Sequence, residues 1–148
     1  MERNSLKNSN RDIQNREYRI VISPIARNMI YELADYIAID LCDIEAAIKM
    51  KNSLIAFIRG MSVLPQRFLY DKNGFLKQLC IRKAIYKNYI VYLWIDELYM
   101  TVNILGVFHT LASSEHNLKE MFRVLDTKYH PSRDITHTNT KRIEEWDG

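Results

Sequence analysis

The chain has 148 residues, 47% of them hydrophobic and 26% charged, with a formal net charge of +3. Those proportions suit one ordinary globular domain with a substantial core. No apolar stretch approaches the length of a membrane span, and the first 17 residues have no hydrophobic centre, which excludes a secretory signal there.

Residues 1–17 are rich in Asn, Arg, Ser and Glu, lack apolar periodicity, and are expected to form a flexible arm. Tyr18 to Ile22 alternates weakly and predicts a first strand. Ser23 is placed to cap a helix with Pro24 in its first turn, where a missing N–H costs nothing. Ile25, Met29, Leu33 and Ile37, with Ala26, Ile30 and Ala34 beside them, give that helix one broad apolar face. Asp43 is a second N-cap, and Ala47, Met50, Leu54, Phe57, Ile58 and Met61 form a second stripe. Two such stripes joined by a short connection predict an αα-hairpin that must bury its faces on something else.

Gly60 and Pro65 end the second helix. Asp71-Lys72-Asn73-Gly74 is a turn signal, and a hairpin between Arg67–Tyr70 and the residues from Phe75 onward is expected. From Leu79 to His109, three β-branched and aromatic segments are separated by Tyr86-Lys87-Asn88 and Asp96-Glu97-Leu98, predicting a three-stranded antiparallel meander. In its last strand Met100, Val102, Ile104, Gly106 and Phe108 are expected to rest on the helices. Ser113-Ser114-Glu115 then opens a short helix carrying Leu118, Met121, Phe122 and Leu125, and residues 130–148 form a polar, aperiodic tail. The order β-α-α-β-β-β-α is that of an α+β fold, a helical hairpin packed on a small antiparallel sheet.

Charge is unevenly distributed. Pro65 to Tyr92 carries six Lys or Arg residues against one acid, Asp71, whereas Asp96 to Gly148 has nine acids and six bases. A basic block with interleaved tyrosines suits phosphate binding or an acidic protein partner. Cys42 and Cys80 lie far apart, outside any CxxC pair, and are expected to be small buried hydrophobes in a reducing cytosol. The four histidines, His109, His116, His130 and His137, show no metal-ligand spacing, and there is no phosphate-binding loop. No cofactor is implied.

The spacing Arg82, Tyr89, Tyr92, then a strand ending in Val107-Phe108-His109, resembles the RelE/ParE family of toxins from type II toxin–antitoxin systems. Ser23-Pro24-Ile25-Ala26, Tyr36-Ile37-Ala38, Ala46-Ala47 and Leu64-Pro65 extend the likeness over residues 18–126. The resemblance implies a toxin domain at 18–129, cytoplasmic, forming a hetero-oligomer with a cognate antitoxin and lacking membrane contact. It also implies one of two mechanisms: metal-free cleavage of messenger RNA on the ribosome, or non-enzymatic poisoning of DNA gyrase. A third possibility is an inactive interaction module.

Metal-free cleavage needs a base, an acid and cations around one phosphate. If the chain is a ribonuclease, the resemblance gives those roles to Arg82, His109 and Tyr89. Target or antitoxin binding would fall to Lys77, Arg82, Lys83, Tyr86, Lys87 and Tyr92. Tyr89 and Tyr92 differ by an odd number in one strand, so only one of them can face a partner. Two departures weigh against cleavage. Ile85 stands where ribonuclease members carry an arginine, and Thr110-Leu111-Ala112-Ser113-Ser114 has no cation where many have a basic cluster. The gyrase-directed branch is therefore favoured.

Overall fold

A computed structural model describes residues 17–113 together with 116, 117, 119, 120 and 123. The arm before residue 17, the stripe Leu118, Met121, Phe122 and Leu125, and the tail 130–148 lie outside the described residues.

Strand β1 (Arg19–Ile22) leads into helix α1 (Pro24–Asp35). The Ser23 hydroxyl accepts the Ala26 N–H at 3.0 Å, satisfying a donor that the first helical turn would leave orphaned. A π-helical turn (Tyr36–Asp40) closes this helix. Asp43 repeats the capping geometry for α2 (Ile44–Arg59), accepting from Ala46 N–H at 3.0 Å. Ala26, Met29 and Ile30 of α1 and Leu54 and Ile58 of α2 enter one core with Ile22, Val91, Leu93, Val102, Ile104 and Val107.

The sheet has the order β1-β4-β3-β2, with β2 at Ile81–Tyr86, β3 at Tyr89–Asp96 and β4 at Thr101–His109. The fold is thus α+β, a helical hairpin over a four-stranded sheet. The meander β2-β3-β4 is antiparallel as expected, but β1 pairs with β4 in parallel, so the sheet is mixed. A parallel neighbour follows because α1 and α2 carry the chain across before it returns.

Three local expectations are corrected. Residues Asp71 to Gly74 do not turn a hairpin. Asn73 Oδ1 accepts from the N–H groups of Phe75 and Leu76, capping a short helix α3 (Gly74–Gln78), while Tyr70 keeps one isolated bridge to Arg82. The signal was real, but the side chain used its oxygen as a helix cap. Cys42 and Cys80 are exposed rather than buried. Both occupy left-handed backbone positions, φ 53° and 60°, where the chain turns at the surface.

The third correction moves half a strand. Leu93 pairs with Ile104 but Tyr92 pairs with Gly106, leaving Leu105 as an extra residue in β4. A bulge of this kind shifts the two-residue alternation by one. Val102 and Ile104 share the helix side with Val91 and Leu93, and beyond Leu105 it is Val107 and His109 that continue on that side. Gly106 and Phe108, expected against the helices, fall on the other side with Tyr92. There the ring of Phe108 meets Tyr92 edge-on at 5.6 Å and His116 at 6.4 Å.

Candidate functional site

Arg82 opens β2, and the loop 63–70 passes alongside. Its guanidinium Nη1 donates to the carbonyls of Phe68 at 2.7 Å and Gln66 at 3.2 Å, and Nη2 donates to the Tyr70 hydroxyl at 3.0 Å. The same cation lies 4.1 Å from the Tyr70 ring centre. The fork is thereby held by its own chain, with loop carbonyls that would otherwise lack donors. In this structure the Arg82 guanidinium, expected to meet a phosphate or partner, is engaged by its own chain.

Nearby, Arg67 donates to the carbonyls of Val63, Leu64 and Gly60 and stacks on Phe68. Gln66 bridges Tyr18 and Glu97: its Nε2 donates to the Tyr18 hydroxyl at 2.7 Å, and that hydroxyl donates to Glu97 Oε2 at 2.8 Å. Both arginines of this corner therefore serve to fix a loop.

The other members of the basic block are more open. Lys77 on α3 and Lys87 in the β2–β3 turn are exposed, and Lys83 is half-buried. Tyr86 is half-buried because its ring stacks on Phe57 of α2, centroids 4.5 Å apart, and Lys87 Nζ caps it at 5.3 Å. Lys87 takes φ 51°, a left-handed position forced by the tight turn. Lys77, Lys83, Tyr86 and Lys87 thus lie on the β2 flank of the sheet.

Tyr92, expected to serve a partner, is 6% exposed. Burial raises its phenol pKa first, the Asp71 carboxylate raises it further, and a hydrogen bond with Asn117 works in the opposite direction. Asp71 and Asn117 are themselves buried, and Asp71 Oδ1 accepts the Asn73 N–H at 2.7 Å. Tyr92 therefore takes part in an internal polar contact with Asp71, ahead of α3, and with Asn117. Of the two tyrosines in β3 it is the core one.

Tyr89 and His109 are cross-strand partners on the helix side, with ring centroids 5.5 Å apart, edge to face. Burial raises the Tyr89 pKa. His109 Nδ1 accepts the Leu111 N–H at 3.0 Å. In the neutral ring that bond leaves the proton on Nε2. Where β1 stops, α1 covers the free edge of β4, and Met29 Sδ accepts the Val107 N–H at 3.4 Å. A groove of about 650 Å³ opens along this edge, lined by Asn28, Glu32, His109, His116, Glu120 and Arg123 over an apolar floor that includes Met29 and Val107. Sequence spacing gave no sign of this grouping, because only the fold brings α1, the end of β4 and the residues after it together.

Arg82 is not part of that group. It pairs with Leu93, and His109 pairs with Tyr89, four residues along β3. With a rise of ~3.3 Å per residue and strands ~4.8 Å apart, the Cα atoms of Arg82 and His109 stand about 16 Å from each other. Arg82, Tyr89 and His109 therefore do not converge on one phosphate. Among the described residues there is no cluster of three His, Cys, Asp or Glu side chains able to hold a metal, and no helix long and apolar enough to cross a membrane.

The sequence matches no described protein family and no curated protein. Among solved structures, the toxin–antitoxin complex RelBE2 from Mycobacterium tuberculosis is similar in shape, with a TM-score of 0.49 and 21% identity over 63% of this chain and 91% of that one.

Proposed function

We propose that this chain is the toxin half of a type II toxin–antitoxin pair, acting in the cytoplasm as a non-enzymatic poison and held in check by a cognate antitoxin in a hetero-oligomer. DNA gyrase is the favoured target. The observation that carries the choice of mechanism is the engagement of Arg82 by the carbonyls of Gln66 and Phe68. A phosphate cleaved without metal needs cations already aimed at it, and losing one such donor typically costs ~2.7–4 kcal/mol of transition-state stabilisation. Here the arginine is committed elsewhere, Tyr92 is internal, and Ile85 and the 110–114 segment bring no replacement cation.

The binding role then falls to the flank bearing Lys77, Lys83, Tyr86 and Lys87, which suits an acidic, partly apolar partner segment. A second reading, ribosome-dependent cleavage of messenger RNA, is favoured by one feature alone. That feature is the Tyr89–His109 pair beside a groove to which Arg123 also contributes.

Induction of the protein without antitoxin separates these readings. Loss of supercoiling activity by gyrase with intact messages is the expected result. Message cleavage abolished by His109→Ala would overturn it in favour of the ribonuclease. An absence of any growth effect would leave an inactive interaction module.

A further inference from the structure

Among the described residues, the outer edge of β2 is only half covered. Residues Arg82, Ala84 and Tyr86 pair with β3, and alternation directs the N–H and C=O groups of Lys83 and Ile85 outward. The chain itself fills the first part of that edge: Lys83 N–H donates to the Leu69 carbonyl at 3.0 Å and Asp71 N–H to the Ile81 carbonyl at 2.9 Å. This cover ends before Ile85, whose side chain is 62% exposed. Lys83 and Lys87 flank it at two residues on either side. A strand edge bearing an exposed isoleucine between two lysines is a template for an extended acidic segment with one large apolar residue.

The sequence holds such a segment. Residues 143–148 read Ile-Glu-Glu-Trp-Asp-Gly, with three acids, one tryptophan and no base. We propose that this segment of the same chain adds to the open edge of β2, with Trp146 against Ile85. In a strand the residue two places before Trp146 lies on the same face. Glu144 therefore comes beside Lys87 if the added strand is antiparallel and beside Lys83 if it is parallel. Both directions pair opposite charges, a cross-strand match of the favourable kind.

Reach does not limit the contact. The twenty residue-to-residue steps from Arg123 to Ile143 span up to about 65 Å at full extension, well beyond the size of a domain whose radius of gyration is about 13 Å. Tethering supplies an effective concentration that a free peptide would lack. The contact stands apart from the choice of target and would shield Lys83 and Lys87 from any other partner.

Amide hydrogen exchange at Ile85 in the full chain tests the assignment. Protection there is expected to fall about tenfold or more in the double variant Glu144→Lys, Trp146→Ser. It is expected to fall likewise in Lys83→Glu, Lys87→Glu, and to return when Glu144→Lys and Glu145→Lys are added to the latter. A second readout uses Trp94→Phe, which leaves Trp146 as the one tryptophan. Its emission is expected to shift to the red when Lys83→Glu and Lys87→Glu are introduced or when salt is raised. Unchanged Ile85 protection and unchanged emission would overturn the proposal. Protection that rises with protein concentration would overturn it too, assigning the edge to a second copy.

Discussion

The guanidinium of Arg82 and the carbonyl of Phe68 are joined by a 2.7 Å hydrogen bond that pins the loop after α2 to the first residues of β2. A charged donor to a partly buried carbonyl contributes more than a neutral one, and removing it leaves the acceptor unsatisfied. Arg82→Ala is therefore expected to lower stability by about 1–3 kcal/mol, read as a fall in the urea midpoint at unchanged slope. A stability unchanged by this substitution would free Arg82 for the catalytic role that its bonds argue against.

A polar staple ties the start of β1 to the β3–β4 turn through Tyr18, Gln66 and Glu97. Because Glu97 is exposed, Glu97→Gln is expected to cost less than ~1 kcal/mol. A double-mutant cycle with Gln66→Ala measures the coupling, and additivity of the two losses would show that the three groups act separately.

Tyrosine burial predicts an alkaline limit. The phenol of Tyr92 is raised above its ordinary value of 10.0, chiefly by desolvation. A raised folded pKa means that the folded chain holds its proton where the unfolded chain has lost it. The associated stability is complete below pH 10 and declines as pH rises above that value. Urea midpoints between pH 8 and 11 are expected to fall over the upper part of this range. Tyr92→Phe should flatten the decline, and an identical slope in the variant would place its cause elsewhere.

Among the described residues, five that are not glycine adopt left-handed backbone angles: Cys42, Leu64, Cys80, Lys87 and Met100. An L side chain in that region carries a steric cost of roughly 1–2 kcal/mol, which glycine avoids while losing some entropy on folding. Cys80→Gly is expected to raise the melting temperature modestly, its side chain being exposed. A lower melting temperature would show that the thiol contributes more than its position suggests.

Much of this architecture could be read from the residues because its causes are local. Ser23 and Asp43 announce helices through oxygen atoms that reach only two or three residues ahead, and the helical stripes need no knowledge of the partner layer. Asn73 misled for the same reason: an Asn before Gly suits a hairpin and a helix cap alike, and only the surrounding loop decides. The role of Arg82 depends on where residues 66–70 pass, a tertiary fact absent from the spacing Arg82, Tyr89, Tyr92. The odd interval between Tyr89 and Tyr92 did require opposite faces, and it is Tyr92 that the core claims. The groove beside His109 was illegible, since Glu32 and Arg123 are strangers in sequence.

The extra residue at Leu105 decides which layer an imidazole joins. Were the same residues to run without the bulge, plain alternation from Ile104 would carry Gly106 and Phe108 to the helix side and part His109 from Tyr89. The bulge, more than residue type, sets the address of that ring, and a single-codon deletion of Leu105 would straighten the strand while leaving Phe108 and His109 on the faces they now hold.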